Sequence, residues 1–415
     1  MQHVIDFRDF VFDDKNLWIS ARSINGLMKV DYEKSKATYI AGFRNTTQRI
    51  ELHGPVINTE DKIYFIPSLG STMDIYDKIR GTVTSVEIYP QDMVWHSLSA
   101  YLVSNKIIIL PFQTQNIICY DIESEEIITI SQWEEDSGLK FTEEGYFFCS
   151  CGTVRGELLY AVSMRNNGIM ELDTKDMSIC WHHLSDHNMT FSTLVDDGKF
   201  LWMAANKGEI FIGWNIKDNI VKIYNNFPRD YKVNKELGIP FCSLIDCGNK
   251  ILAIAIRANM SLWLDKETGV IIECSLLNQT GINHILPGDI EEYRLAKKLT
   301  EDTILLISCR DRAIVKYNWK QETIERNFID ITEEIQMGIL GTDIEILKKT
   351  NTSLVINEDM ITLDAFLNYL KQEKQDIIPI IESGENTQQS CFGYKIFTNV
   401  KQSLKELQSD YKWKG

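Results

Sequence analysis

The stretch GELLYAVSMRNNGIMELDTKDMSICW (156–181) reads as two apolar strands, a turn and the start of a third strand. Tyr160 lies in the first strand, and Asp173, thirteen residues on, opens the turn after the second. The same interval recurs from Trp18 to Asp31, Tyr64 to Asp77 and Ile108 to Asp121. It returns from Trp202 to Asn215, Leu252 to Asp265 and Leu305 to Asn318. All seven intervals end on Asp or Asn, whose short side chains bond the backbone just ahead of them and so favour turns. Immediately before each stands an apolar or aromatic residue: Val30, Tyr76, Tyr120, Leu172, Trp214, Leu264 and Tyr317. Two positions earlier come Met28, Ile118, Met170, Ile212, Leu262 and Val315, with Asp74 the single exception. Apolar residues at a period of two, closed by Asp or Asn, describe a strand entering a turn.

The first member of each interval sits in a near-continuous apolar run such as LWIS, IYFI, IIIL or ILLIS, the pattern of a strand covered on both faces. Upstream of each run lie a short turn and another strand, with hairpin signals such as Asp-Asp-Gly in LVDDGK. Downstream comes a fourth strand, as in KATYI, MSICW and IVKIY. The anchors at 18, 64, 108, 160, 202, 252 and 305 are 42 to 53 residues apart. A four-stranded sheet of that size cannot hide both of its faces alone, whereas radial stacking hides them. The fold class expected is therefore all-β: a seven-bladed β-propeller over residues 1–331. The blades are placed at 7–50, 51–95, 96–145, 146–188, 189–238, 239–290 and 291–331, followed by an extension at 332–415.

Within that pattern, LDTKDMSICW resembles the quinoprotein-type repeat, in which Asp, a polar turn and a Trp eight residues later recur; here the Trp is Trp181. LWLDKETGVII (262–272) is similar to that repeat and to the YVTN type. LWIS…NGLMKVDYEKS (17–35) resembles the repeats of two-component-regulator propellers and of virginiamycin B lyase. The Gly-His/Trp-Asp period of WD repeats and the Gly-Gly doublet of kelch repeats are absent. The resemblance implies the propeller fold. No residue here matches a pyrroloquinoline quinone ligand set, and neither the metal-holding Glu nor the catalytic His of the lyase is placed. No cofactor or metal is expected.

Composition narrows the partners. With 43 Lys and Arg against 59 Asp and Glu, the net charge is −16, which disfavours nucleic acid and anionic membrane surfaces, since both call for clustered cations. No apolar run reaches the roughly 18 residues of a membrane span. The first twenty residues carry Asp6, Arg8, Asp9, Asp13 and Asp14 rather than a basic segment followed by an apolar one, so a secretory signal is not expected. The nine cysteines are odd in number, and Cys119, Cys180 and Cys309 lie in apolar runs. That suits reduced thiols of a cytoplasmic protein, and the richness in Ile, Lys, Asn and Glu suggests a bacterial source.

Propeller ligands bind over the central channel, on loops joining the outer strand of one blade to the inner strand of the next. Eleven residues before the anchors stand Phe7, His53, Ser97, Cys149, Phe191, Phe241 and Arg294, with Trp95 and His96 beside Ser97 and Cys242 beside Phe241. The ligand-binding candidates are accordingly His53, Trp95, His96, Cys149, Phe191, Phe241 and Arg294, a polar and aromatic set suited to a peptide or a sugar. The longest loops, 132–148, 227–241 and 277–298, are expected to shape specificity. His182, His183, Asp186 and His187 in WHHLSDH (181–187) end a fourth strand, where exposed histidines are ordinary. No GxSxG, P-loop, HExxH or dinucleotide fingerprint occurs. The expected function is a non-catalytic scaffold binding a protein, peptide or carbohydrate. The alternative is a propeller lyase or hydrolase using loop histidines and carboxylates.

Beyond Ile331 the interval stops. Leu363, Phe366, Leu367 and Leu370, and then Ile396, Val400, Leu404, Leu407 and Tyr411, fall at helical spacing. These two helices either cap the propeller or reach a partner or a second copy of the chain.

Overall fold

The structure is a computed structural model. It describes residues 7–43, 52–90, 96–131, 147–184, 189–233, 238–278 and 293–330, apart from 14–15, 22–25, 115, 149–151, 166 and 310, together with Trp133, Thr332, Glu334 and Ile335. The two helices expected near the C-terminus lie outside the described residues.

In blade 1, β1–β4 are Phe7–Asp13, Asn16–Ala21, Gly26–Asp31 and Lys36–Gly42. In blade 2, β5–β8 are His53–Asn58, Lys62–Pro67, Thr72–Asp77 and Thr82–Glu87. In blade 3, β9–β12 are Ser99–Val103, Lys106–Leu110, Ile117–Asp121 and Ile127–Ile130. In blade 4, β13–β16 are Gly152–Arg155, Leu158–Val162, Gly168–Asp173 and Ile179–His183. In blade 5, β17–β20 are Phe191–Asp196, Leu201–Ala205, Phe211–Asn215 and Ile220–Tyr224. In blade 6, β21–β24 are Phe241–Asp246, Lys250–Ala255, Leu262–Asp265 and Ile271–Glu273. In blade 7, β25–β28 are Tyr293–Lys298, Thr303–Ser308, Ile314–Asn318 and Thr323–Asn327. Each group forms one antiparallel sheet whose strands neighbour one another in chain order.

The thirteen-residue interval has a direct cause in strand register. In every blade the anchor on the second strand faces the residue two before the turn Asp or Asn on the third. The pairs are Trp18 with Lys29, Tyr64 with Ile75, Ile108 with Cys119 and Tyr160 with Glu171. Trp202 with Gly213, Leu252 with Trp263 and Leu305 with Lys316 complete the set. The Asp or Asn then accepts backbone amides of its own turn through Oδ1. Lys34 donates to Asp31 at 3.0 Å, Arg80 to Asp77 at 2.8 Å and Ser124 to Asp121 at 3.0 Å. Lys175 donates to Asp173 at 2.9 Å, Asp218 to Asn215 at 3.1 Å, Thr268 to Asp265 at 2.8 Å and Gln321 to Asn318 at 2.8 Å.

Burial follows radius. The second strands are almost wholly enclosed: Ile107, Ile108, Ile109 and Leu110 of β10 are inaccessible to solvent. The fourth strands form the rim and leave Ile127, Ile220, Val221 and Ile272 exposed. The core is a chain of apolar clusters lying between neighbouring sheets. One cluster, containing Trp18, Phe43, Phe65 and Tyr76, joins blades 1 and 2. Another, containing Phe7, Phe10, Leu17, Leu305, Ile307, Ile329 and Ile335, joins blades 1 and 7. Enclosing one such side chain contributes about 1.5–3 kcal/mol, so each sheet depends on both of its neighbours.

The ring closes through side chains rather than strand exchange, since blades 1 and 7 are each built from one continuous stretch of chain. Lys297 on β25 approaches Asp9 at 2.6 Å and donates to the Phe10 carbonyl at 2.6 Å. Arg294 donates to the Phe7 carbonyl at 3.0 Å. Asp9 also accepts the Val56 amide of blade 2 at 2.9 Å, so one buried carboxylate ties three blades together.

The two ends of the wheel differ. On one face the first-to-second strand turns contain two to four residues, for example 14–15 and 299–302, and the third-to-fourth turns four or five, for example 32–35 and 174–178. On the other face the stretches joining successive blades run from seven residues (184–190) to sixteen (225–240), nineteen (274–292) and twenty-one (131–151). We call these the turn face and the loop face.

Candidate functional site

Where the chain leads into the innermost strands of blades 2 to 6 on the loop face, backbone hydrogen bonds tie these entries into a girdle. The Ser68 amide donates to the Leu52 carbonyl at 2.8 Å, and the His96 amide donates to the Ser68 carbonyl at 2.8 Å. The Phe112 amide continues to the His96 carbonyl at 2.8 Å, and the Phe147 amide to that of Phe112 at 3.0 Å. Phe191 to Ser163 (3.4 Å), Asn206 to Thr190 (2.7 Å) and Ile239 to Asn206 (3.0 Å) extend the girdle through blade 5 into blade 6. Between blades 1 and 2 the link is the Ser20 hydroxyl donating to the His53 carbonyl at 3.0 Å. Of the positions eleven residues before the anchors, Phe7, His53, Phe191 and Phe241 begin the innermost strands of their blades, which places them at the loop-face end of the sheets.

The structure distributes the described candidates among separate blade interfaces. His53 is 3% exposed, and its Nε2 lies 2.8 Å from Oδ2 of Asp74, which is fully buried. The two atoms are in close contact without forming an aligned hydrogen bond. The His53 ring packs on Phe43 and Phe65, with centroids 4.4 Å and 6.1 Å away, and Ser85 donates its hydroxyl to the other Asp74 oxygen. Burial of a carboxylate requires such partners. Asp74, the single break in the apolar pattern, is therefore explained by a histidine 21 residues upstream. His96 is buried and stacks on Tyr89 at 3.9 Å with the planes 4° apart. Phe191 belongs to the apolar cluster spanning blades 3 to 5. Phe241 stacks on Phe211 at 5.5 Å and on Tyr231 at 6.2 Å. Arg294 spends one guanidinium nitrogen on ring closure. Trp95 and Cys149 lie outside the described residues.

On the turn face, two junctions carry the same polar clasp. Between blades 5 and 6, Lys266, which follows the turn residue Asp265, donates to Asp197 at 2.9 Å and to Asp246 at 2.7 Å. Asp197 also accepts the Trp202 indole N–H at 2.7 Å. Burial works to raise the Asp197 carboxyl, but hydrogen bonds from the Phe200 amide, Lys266 and Trp202 outweigh it and hold its pKa down to about 2. Glycine makes room at two points: a Cβ on Gly213 would stand 2.9 Å from the Trp202 ring, and one on Gly269 (φ +74°) would stand 2.5 Å from the Tyr224 ring. Between blades 1 and 2, Lys78, following Asp77, donates to Asp13 at 3.1 Å and to Asn58 at 3.0 Å, and Asp13 accepts the Trp18 indole at 2.9 Å. The Asp13 carboxyl is likewise lowered: burial opposes the shift, and the bonds from Trp18 and Lys78 overcome it.

Blade 4 takes up two of the histidines of WHHLSDH. His182 Nε2 lies 3.0 Å from Glu171, and His183 Nδ1 lies 3.3 Å from the Asn167 carboxamide. Asp186 and His187 lie outside the described residues. Among the described residues no three His, Cys, Asp or Glu side chains are grouped to hold a metal ion.

No family model matches the chain, and no curated protein matches it. Among solved structures, virginiamycin B lyase from Staphylococcus aureus is similar, with a TM-score of 0.54 and 12% identity over 74% of this chain and 96% of that one. A catalytically inactive variant of that lyase with quinupristin matches at the same score and identity, over 93% of that chain. The extracellular domain of the one-component system BT4673 from B. thetaiotaomicron matches with a TM-score of 0.50 and 12% identity. That match spans 73% of this chain but only 37% of the other. At such identities the likeness establishes the architecture alone: the chain is a seven-bladed β-propeller, with neighbours that include a lyase and the extracellular domain of a one-component system.

Proposed function

We propose that the protein is a non-catalytic binding module that recognises a protein, peptide or glycan across its loop face, over the central channel. The asymmetry of the wheel carries this reading. Turn-face connections are held to two to five residues, whereas the loop-face stretches 131–151, 225–240 and 274–292 are three to ten times that length. Long connections on a rigid frame are where recognition residues concentrate. The girdle supports the same reading, because His53, His96, Phe191 and Phe241 are enclosed in blade interfaces and act as frame. A cytoplasmic setting, with a partner that is neither nucleic acid nor membrane, completes the proposal.

The test is retention of partners from a cell extract by the full chain and by variants with Gly-Ser linkers of equal length in place of 279–292 or of 134–146, which leave the core residues Trp133, Phe147, Phe148, Cys274 and Leu277 in place. Lys320→Ala, on the turn face, serves as control. Partners retained by the full chain and by Lys320→Ala are expected to be lost from at least one linker variant. Retention undiminished in both linker variants would overturn the proposal.

A further inference from the structure

We propose a second binding site, for a small neutral saccharide, in the turn-face cavity between blades 7 and 1. The cavity has a volume of about 350 Å³, at the lower end of small-molecule sites. Tyr32 and Glu33 of the blade 1 turn form one wall; the other comes from blade 7, through Thr300, Lys316, Gln321 and Thr323 among others.

Its origin is visible by comparison with the clasped junctions. Tyr32 follows Asp31 as Lys266 follows Asp265 and Lys78 follows Asp77. Each lysine is received by an aspartate five residues before the anchor of the preceding blade, Asp197 before Trp202 or Asp13 before Trp18. At the seam the residue five before Leu305 is Thr300, and Tyr32 is a buried member of the apolar cluster that joins blades 1 and 7. The volume that a clasp occupies elsewhere is open here.

The lining selects the ligand class. Lys316 Nζ lies 3.5 Å from Glu325, which offsets its charge, while Glu33 adds a further negative group, so an anion is disfavoured. Leu299 and Tyr32 are the only apolar or aromatic residues in the lining of the cavity. Asn318 is spent internally: its Nδ2 donates to Thr303 at 3.0 Å and its Oδ1 accepts the Lys320 and Gln321 amides. Thr300 Oγ1 accepts the Asp302 amide at 3.3 Å. The side chains of Glu33, Gln321 and Thr323 border the cavity with no such internal commitment. A carboxylate on one wall and a carboxamide and a hydroxyl on the other match the hydroxyls of a sugar lying between them, each of which donates one hydrogen bond and accepts others. The site is on the face opposite the long loops and does not rest on the reading of those loops.

Saturation-transfer NMR and thermal shift on the full chain would test it, with glucose, galactose, N-acetylglucosamine and maltose as probes. At least one probe is expected to bind saturably and to raise the melting temperature, as binding only to the folded state requires. Gln321→Ala and the cavity-filling Thr323→Trp, both at exposed positions, are expected to weaken that binding by about tenfold or more. Replacing residues 279–292 with a Gly-Ser linker should leave it unchanged. No saturable binding of any probe up to roughly 100 mM, far beyond the range of weak specific affinities, would overturn the proposal. So would binding that survives both seam variants or is lost with the loop.

Discussion

Between blades 5 and 6, Lys266 crosses from its turn to two aspartates and a tryptophan holds one of them in place. Between blades 7 and 1, the residue at the same place in the repeat is Tyr32, 7% exposed and part of an apolar cluster on one side, with a polar cavity on the other. The repeat therefore keeps the place where a residue crosses between sheets without keeping the way it is held. A charged clasp needs its acceptors in register, whereas an aromatic wedge needs only apolar neighbours. The wedge sits at the closure, where the first and last blades meet, and there the ion pairs are displaced inward to Lys297 and Asp9.

Breaking each junction in turn sharpens the contrast. Tyr32→Ala is expected to have the largest effect, about 3–5 kcal/mol of stability, because it empties a packed aromatic site. Its measure is the urea midpoint at unchanged slope. Lys266→Met keeps the side-chain stem but leaves Asp197 and Asp246 facing each other across a half-buried space. A loss of roughly 2 kcal/mol is expected, less than for a fully buried pair because the site is partly wet. Lys78→Met should cost about 1 kcal/mol or less, since one of its acceptors, Asn58, is neutral. Equal losses from the two lysine variants would show that the second aspartate at the blade 5/6 junction adds nothing.

Acid distinguishes the junctions further. The Asp197 carboxyl is depressed in the folded protein, so its stabilising contribution is fully present above the ordinary carboxylate value of 3.8 and fades as pH falls toward about 2. Lys266→Met is expected to flatten the stability profile in that window, whereas Tyr32→Ala should shift the whole profile down without changing its shape there.

Much of this architecture was legible in the chain itself. The interval from Tyr160 to Asp173 is a hairpin register plus a turn cap, both local, so seven sheets could be counted before any was seen. The clasps left a fainter trace. Among the seven anchors only Trp18 and Trp202 have an aspartate five residues before them, and only the blades that follow those two have lysine after the turn Asp. That correlation links residues in neighbouring repeats, whereas the periodic pattern compares equivalent positions one at a time. Asp74 stood out as an exception, and His53 stood out as a ring position. Their pairing was not legible because it joins the first and third strands of one sheet across an intervening strand. Loop-face histidines suggested a pocket by proximity in the repeat; burial decides their surroundings, and burial depends on the neighbouring blade.

The claim on which the rest stands is that blade 7 lies directly against blade 1. Spin labels at Lys34→Cys and Lys320→Cys, exposed turn positions on those two blades, would test it by pulsed electron–electron resonance, with the reactive native cysteines replaced by serine. The predicted distance matches that between labels on the adjacent blades 1 and 2, at Lys34→Cys and Arg80→Cys, and is shorter than that from Lys34→Cys to Lys175→Cys on blade 4. A seam distance as long as the one to blade 4 would contradict the closed wheel.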